Sequence, residues 1–378
     1  MDTSYRFGIE EEFFLADAAT RGTPRRTLKA FHADVHAQLP AVERELLEAQ
    51  VEIASPPYTR FADARSTLAG LRASLAAIGQ AHGVRVLAAG THPIARWARQ
   101  THTRKPRYEE LTRELRMLAR RDVVCGMHVH VEVPRPEERV DLMNRLLPYM
   151  PVLLALSASS PFWQGQATGL AAYRLSVWGE MPRTGLPDLF RDTADYERYV
   201  AAMVRGGAIA DASFLWWTLR PSIRYPTLEL RVADSCTRLE DTLAIAALYR
   251  CLVRLAVRRR ELNRGLTGAA RALVSENLWR AQRDGIQASF LDGESGTVMP
   301  FATYLDALLA EIMEDADALG CRPEIERART ITREGTSADH QVAVFASVRK
   351  ETADTNEALA AVVDWIAETT AKAAISPV

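Results

Sequence analysis

Several short stretches of this chain place ionisable side chains at every second position among bulky apolar ones. In Gly126-Met127-His128-Val129-His130-Val131-Glu132-Val133-Pro134, strand geometry puts Met127, Val129, Val131 and Val133 on one face and His128, His130 and Glu132 on the other. Phe7-Gly8-Ile9-Glu10-Glu11-Glu12-Phe13-Phe14-Leu15 has the same period: Phe7, Ile9, Phe13 and Leu15 share a face interrupted by Glu11, and Glu10 with Glu12 lie opposite. In Thr227-Leu228-Glu229-Leu230-Arg231-Val232-Ala233-Asp234, Glu229 and Arg231 project together away from Leu228, Leu230 and Val232. A fourth segment brings Glu45, Glu48 and Glu52; its second half alternates Ala49, Val51 and Ile53 against Glu48, Gln50 and Glu52 until Pro56-Pro57 ends it. Any one of these fits an amphipathic strand with its polar face in water or a cross-strand ion pair. Carboxylates gathered on neighbouring strands, however, repel one another unless a cation lies among them.

The donor set points to a hard cation. Many carboxylates with one imidazole suit Mg²⁺ or Mn²⁺ better than zinc, and no His-Glu-x-x-His occurs. Such a cluster could hold more than one ion, and these ions commonly bridge phosphate oxygens, so a nucleotide is the expected ligand. The chain has no Gly-x-x-x-x-Gly-Lys-Ser/Thr loop and no Gly-x-Gly-x-x-Gly, which leaves metals and arginines to hold the phosphates.

The elements that must position these residues fit an ordinary globular protein of 378 residues, 48% hydrophobic and 25% charged. That length can bury a large core without metal or disulfides, so a metal would be there for chemistry. A net charge of -1 gives no reason to invoke nucleic acid or an acidic membrane. Cys125, Cys236, Cys251 and Cys321 form no Cys-x-x-Cys pair. With no apolar signal core at the N-terminus and no membrane-length apolar run, a soluble cytoplasmic protein is expected. Helices are expected over residues 61–82, 107–120 and 240–262, and over 137–158 with a break or kink at Pro148 and Pro151. Residues 84–89 read as a buried strand, 43–50 would also fit a short helix, and His92 in Gly90-Thr91-His92-Pro93 reads as a loop residue. Without a low-complexity linker or internal repeat, residues 1–378 are expected to form a single domain, mainly helical after about residue 240, with a Gly/Ser-rich loop around 292–297 and a polar stretch near 333–339.

Taken in order, Gly8-Ile9-Glu10-x-Glu12, the Glu48/Glu52 segment ending in Ala54-Ser55-Pro56, Gly90-Thr91-His92-Pro93, Gly126-x-His128-Val129-His130-Val131, and Arg220-Pro221-Ser222 followed by Glu229-Leu230-Arg231-Val232 resemble the carboxylate–amine ligases of the glutamate–cysteine ligase type 2 family. The resemblance runs from about residue 5 to about residue 290. It implies an α+β fold like the catalytic domain of glutamine synthetase, a curved, mostly antiparallel sheet with helices packed outside. It also implies ATP and Mg²⁺ (or Mn²⁺), glutamate and an amine such as cysteine as substrates, and assembly as a homodimer. Carried over residue by residue, it puts Glu10, Glu12, Glu52, His128 and Glu229 at metal-ligand positions, with Glu45 standing where relatives often carry Asp and Glu48 behind the ligands. Arg231 matches the arginine facing the transferred phosphoryl group; Arg220 or Arg224 would bind other phosphates or a substrate carboxylate. The family's Trp-Asp-Ile-Arg-Pro is Trp217-Thr218-Leu219-Arg220-Pro221 here, a departure that bears on the amine pocket or on a structural contact.

The implied chemistry is conversion of a carboxylate, typically the γ-carboxyl of glutamate, to an acyl phosphate that an amine then attacks. His130 and Glu48 are candidates for the base. A metal-dependent hydrolase, or a non-catalytic nucleotide-binding protein of the same fold, would use the same carboxylates; amine-dependent ATP turnover separates these from the ligase.

Overall fold

The computed structural model describes residues 4–24, 27–293 and 295–372. One sheet carries the charged strands: β1 (Phe7–Asp17), β2 (Val42–Arg44), β3 (Gln50–Ala54), β4 (Val84–Leu87), β5 (Met127–Glu132), β6 (Leu219–Pro221) and β7 (Thr227–Leu230). Every pairing in it is antiparallel, in the order β6-β7-β5-β1-β3-β2, with β4 also on β1. Strand β1 is long enough to serve three partners. Residues 7–11 pair with β5 and 14–17 with β4 along one edge, while 10–14 pair with β3 along the other. Strands β6 and β2 end this path, so it does not close into a barrel. The sheet and its surrounding helices are the expected α+β arrangement.

The helices up to residue 258 are α1 (Leu28–Gln38), α2 (Phe61–Ala81), α3 (Pro106–Leu115), α4 (Met117–Arg121), α5 (Arg139–Leu146), α6 (Met150–Ser157), α7 (Arg174–Trp178), α8 (Thr193–Arg205) and α9 (Leu239–Arg258), of which α3 and α7 line the site. The apolar face of the sheet, with Phe7, Ile9, Phe13, Val51, Ile53, Val129, Val131, Leu228 and Leu230, is buried in one core with residues of α2 and α9. Helix α9 buries 16 of its 20 residues, with Glu240, Arg254 and Arg258 on its less buried side.

Glu11, the interruption in the apolar face of β1, is explained by this packing. Its carboxylate accepts from Arg72 of α2 (Nη2 at 2.5 Å, Nε at 3.1 Å) and from Thr242 of α9 at 2.8 Å. Both side chains of the ion pair are 0% exposed. Arg72 also donates to the Thr237 and Cys236 carbonyls, so the guanidinium joins α2, β1 and the start of α9.

Two local expectations change, and a third gains detail. Residues 43–50 form β2 and a turn rather than a short helix, because pairing with β3 satisfies that backbone. The helix over 107–120 is split into α3 and α4 at Arg116, whose φ is +53°. Around 292–297 the chain makes the turn of a hairpin joining Ser289–Leu291 to Val298–Pro300, with Glu294 outside the described residues. The 137–158 region breaks as expected: a 3-10 turn at Leu147–Tyr149 contains Pro148, and Pro151 sits in the first turn of α6, where a missing N–H does no harm.

Candidate active site

Residues directly opposite in an antiparallel pair project from the same face. Here Glu10 stands opposite His128, Glu12 opposite Glu52, and Glu229 opposite both His130 and Arg220. All of them, with Glu45, Arg231 and Arg224, line one cavity of about 610 Å³. Arg224 lies on its exposed side. Glu48 is the exception. It lies in the turn before β3, where the two-residue period no longer applies, and its carboxylate accepts from Thr101 at 3.0 Å and pairs with Arg44 instead of lining the cavity.

Within the cavity, ligand atoms of Glu10, His128 and Glu229 all lie within 4.8 Å of one another. His128 Nδ1 is 3.2 Å from Glu10, while its Nε2 is buried without a hydrogen-bond partner, 3.8 Å from Glu12. His130 sits 3.4 Å from Glu10 and 3.0 Å from the Thr227 hydroxyl. Arg220 grips both oxygens of Glu229 at 2.8 and 3.2 Å and donates to the Ser213 and Leu215 carbonyls, so its guanidinium is committed to holding Glu229. Arg231 donates to Glu229 at 2.5 Å.

Charge is unevenly compensated across this surface. Burial pushes the Glu12 carboxyl up to about 7, with the charge of Glu45 adding to it. Glu52 is pushed well up by burial and then by the charges of Glu10, Glu45 and Glu12, and Glu45 is raised by burial. Burial works the same way on Glu229, yet the Arg231 and Arg220 guanidinium groups outweigh it and hold that carboxyl down to about 2. Burial also acts on Glu10, but hydrogen bonds to His128 and His130 hold it well below the usual carboxylate range. His128 is pushed down to about 4 by burial and by the Arg231 charge, which keeps the imidazole neutral and able to ligate. For His130, burial lowers and the Glu10 hydrogen bond and Glu229 charge raise, with a net rise. A carboxylate wall with raised pKa values beside a neutral imidazole that has an orphaned nitrogen is the electrostatic shape of a site that takes cations.

Gly126 opens the sequence motif because two groups crowd it. Its N–H donates to Glu12 at 2.6 Å, and a Cβ there would lie 2.2 Å from Nη2 of Arg174. Arg174 therefore crosses the start of β5. Together with Asp122 and Trp178, which also line the cavity, it belongs to the site, although nothing in the sequence pattern marks these three. Thr218 does not line the cavity; its N–H donates to the Gly185 carbonyl and its own carbonyl accepts from the Arg231 N–H, placing it behind Arg231. His92 is buried, and its Nδ1 accepts from the Ile94 and Ala95 N–H groups, a loop-closing role.

Among solved structures, glutamate–cysteine ligase from Francisella tularensis in complex with AMP is similar at a TM-score of 0.62 and 12% identity, over 98% of this chain and 93% of that one. A bifunctional glutathione synthetase from Pasteurella multocida gives 0.67 at 15% identity, over 96% of this chain and 52% of that one, so this chain spans about half of its length. These likenesses concern the fold, the antiparallel sheet with helices packed around it. In sequence, residues 6–363 match glutamate–cysteine ligase family 2 (GCS2). Relatives named "Putative glutamate--cysteine ligase 2" are 44% identical: one from Bradyrhizobium sp. (strain ORS 278) over 99% of this chain and 90% of its own, another from Rhodospirillum rubrum over 98% and 97%. The chain belongs to glutamate–cysteine ligase family 2, and it is a ligase that forms a C–N bond between a carboxylate and an amine.

Proposed function

We propose that this enzyme uses ATP with Mg²⁺ or Mn²⁺ to activate the γ-carboxyl of glutamate as an acyl phosphate, which an amine such as cysteine then attacks. The observation that carries this reading is the register of the sheet, which puts Glu10, His128 and Glu229 around one point and Glu12, Glu45 and Glu52 beside it, with Arg231 among them. The donor set fits hard divalent cations, and the orphaned Nε2 of His128 is a ligand atom waiting for one. Glu10, His128 and Glu229 would hold one ion and Glu12, Glu45 and Glu52 a second, with Glu45 steadied by the Tyr108 hydroxyl at 3.1 Å. Bound cations would neutralise the triphosphate and the oxygen charge that builds during transfer.

The chain's own residues supply the rest. A γ-carboxylate oxygen attacks the γ-phosphorus and ADP leaves; the amine nitrogen then attacks the acyl carbon, inorganic phosphate leaves, and the nitrogen gives up a proton. Arg231, rigid between Glu229 and the face of Trp178, offers donors where negative charge shifts in both steps. Arg220 keeps Glu229 in place, and Arg224, on the exposed side, is positioned for outer phosphates. His130, hydrogen-bonded to Glu10, remains a candidate for the base. ADP release measured with glutamate and a panel of amines tests the proposal. Amine-dependent turnover is expected, and ATP hydrolysis that needs no amine, or none at all, sinks it.

A further inference from the structure

Arg174 is a buried cation of the cavity with no carboxylate partner among the described residues. Its residue is 2% exposed, its Nε is buried without a partner, and its other nitrogens reach only the Arg231 and Val232 carbonyls at 3.3 to 3.4 Å. Among the described residues no carboxylate forms an ion pair with it, although Glu12, Asp122 and Asp234 lie close enough to feel its charge. A buried guanidinium left this way is costly unless an anion completes it. Asp122 is its complement: Oδ1 is buried without a hydrogen-bond partner, and the residue lines the same cavity. Gly126 leaves room for the Arg174 guanidinium, which lies where a Cβ would be, and the Trp178 ring, 5.1 Å from the guanidinium carbon, backs it. Both residues lie towards the Glu12 and Gly126 end of the sheet, away from the Arg224 and Tyr225 hairpin; Leu115, Val124 and Met181 add an apolar lining.

We propose that Arg174 and Asp122 form a receptor for the head group of an α-amino acid, with the guanidinium taking its carboxylate and Asp122 its ammonium group. The inference rests on the ligase reading above and adds where an amino-acid substrate is gripped. A cation and an anion in one cavity, neither paired with the other, match a zwitterion better than either a phosphate or a simple amine. Burial pushes the Asp122 carboxyl up to about 7, against the pull of Arg174, so an ammonium group arriving beside it would favour the ionised form. Glu45, Arg231 and Glu180 also act on Asp122, and none of them bonds to it. The head group could belong to glutamate or to the amine-bearing amino acid, and the ligands of the test tell these apart.

The test is calorimetric binding to the whole chain in the presence of Mg²⁺ and a non-hydrolysable ATP analogue. L-glutamate is compared with 4-aminobutyrate, which lacks the α-carboxylate, and with glutarate, which lacks the amino group; L-cysteine is compared with cysteamine and 3-mercaptopropionate. For the amino acid that uses this receptor, Arg174→Gln is expected to weaken binding roughly 10- to 100-fold. The same variant should leave the decarboxylated analogue unchanged, since the two deletions remove one contact. Asp122→Asn should weaken the amino acid and spare the deaminated analogue. A loss confined to glutamate assigns the receptor to its head group, and a loss confined to cysteine assigns it to the amine substrate. An unchanged far-UV circular dichroism spectrum and a cooperative melt serve as the folding control, and Arg174→Lys, which keeps the charge but loses the planar fork, replaces Arg174→Gln if that variant does not fold. If the wild type binds amino acid and the variants bind it equally well, the receptor is overturned while the ligase reading stands. If the wild type binds nucleotide but neither amino acid, both fall.

Discussion

Arg231 Nη1 lies 2.5 Å from Glu229 Oε1, and Arg220 holds both Glu229 oxygens from the other side. The carboxylate is 3% exposed and the two guanidinium side chains 14% and 15%, so the three charges form one buried unit. Glu229→Gln should therefore both abolish turnover and destabilise the fold, by about 3 kcal/mol, because two arginines lose their counter-charge. Arg231→Lys keeps the charge and loses the planar fork, and it should cost on the order of 10²-fold in kcat with a smaller change in nucleotide affinity. Denaturant titration and amide-formation kinetics on both variants check this. An Arg231→Lys enzyme that is destabilised yet fully active would reduce the guanidinium to a structural partner.

Glu12 behaves in the opposite way. Its carboxyl is raised to about 7 from an ordinary 4.5, so between those pH values the folded apoprotein holds a proton that the unfolded chain has released. This group's contribution to stability therefore falls as pH rises across that window and levels off above it. Glu12→Gln should flatten that part of the apoprotein's stability curve and raise its melting temperature near neutral pH. The same variant should weaken Mn²⁺ binding at least about 10-fold, since a ligand is lost. Mn²⁺ at saturation should flatten the wild-type curve as well, because bound cation keeps the carboxylates ionised. Melting curves across this range, with and without Mn²⁺, decide it; a wild-type curve that rises with pH as steeply as the variant's would contradict the assignment.

The position of Glu48 yields a paired prediction. Glu52 projects into the cavity from β3, whereas Glu48 in the preceding turn bonds Thr101 and Arg44. Glu52→Gln should remove at least about 10²-fold of kcat by taking away a metal ligand, and Glu48→Gln should change it by no more than about 2-fold, as expected for an exposed ion pair. Comparable losses in the two variants would return Glu48 to the site.

What was legible in the sequence followed from the two-residue period of strands. The sides on which Glu10, Glu12, His128, His130, Glu229 and Arg231 project could be read because each alternates with apolar neighbours that must be buried. Their register, which makes Glu10 face His128, could not, since pairing depends on chain segments more than a hundred residues apart. The two-residue period groups Glu48 with Glu52 only when it is extended two residues before the first residue of β3, where the chain is a turn. Asp122 follows a short helix and Arg174 begins one of five residues, where no periodicity points a side chain anywhere. Gly126 was the one local clue, since a strand glycine marks a close approach, but it does not say which group approaches.

Glu11 and Arg72 give the last prediction, because they are buried like the site yet serve only the fold. Strand β1 must present Glu10 and Glu12 to the cavity, which forces the residue between them into the core, and Arg72 of α2 makes a carboxylate acceptable there. Arg72→Met leaves Glu11 charged and buried with only the Thr242 hydroxyl, and it strands the Cys236 and Thr237 carbonyls that Arg72 also satisfies. The expected cost is about 3–5 kcal/mol, enough to threaten folding. Glu11→Gln should cost about as much on its own, while the double variant Glu11→Gln/Arg72→Met should lose less than the sum, since neither partner is left charged without the other. Chemical denaturation of the three variants measures the coupling. Because the pair lies on the face away from the cavity, whatever enzyme stays folded should keep its affinity for Mg²⁺ and nucleotide, and additive losses in the double variant would mean that the two side chains are compensated by other groups.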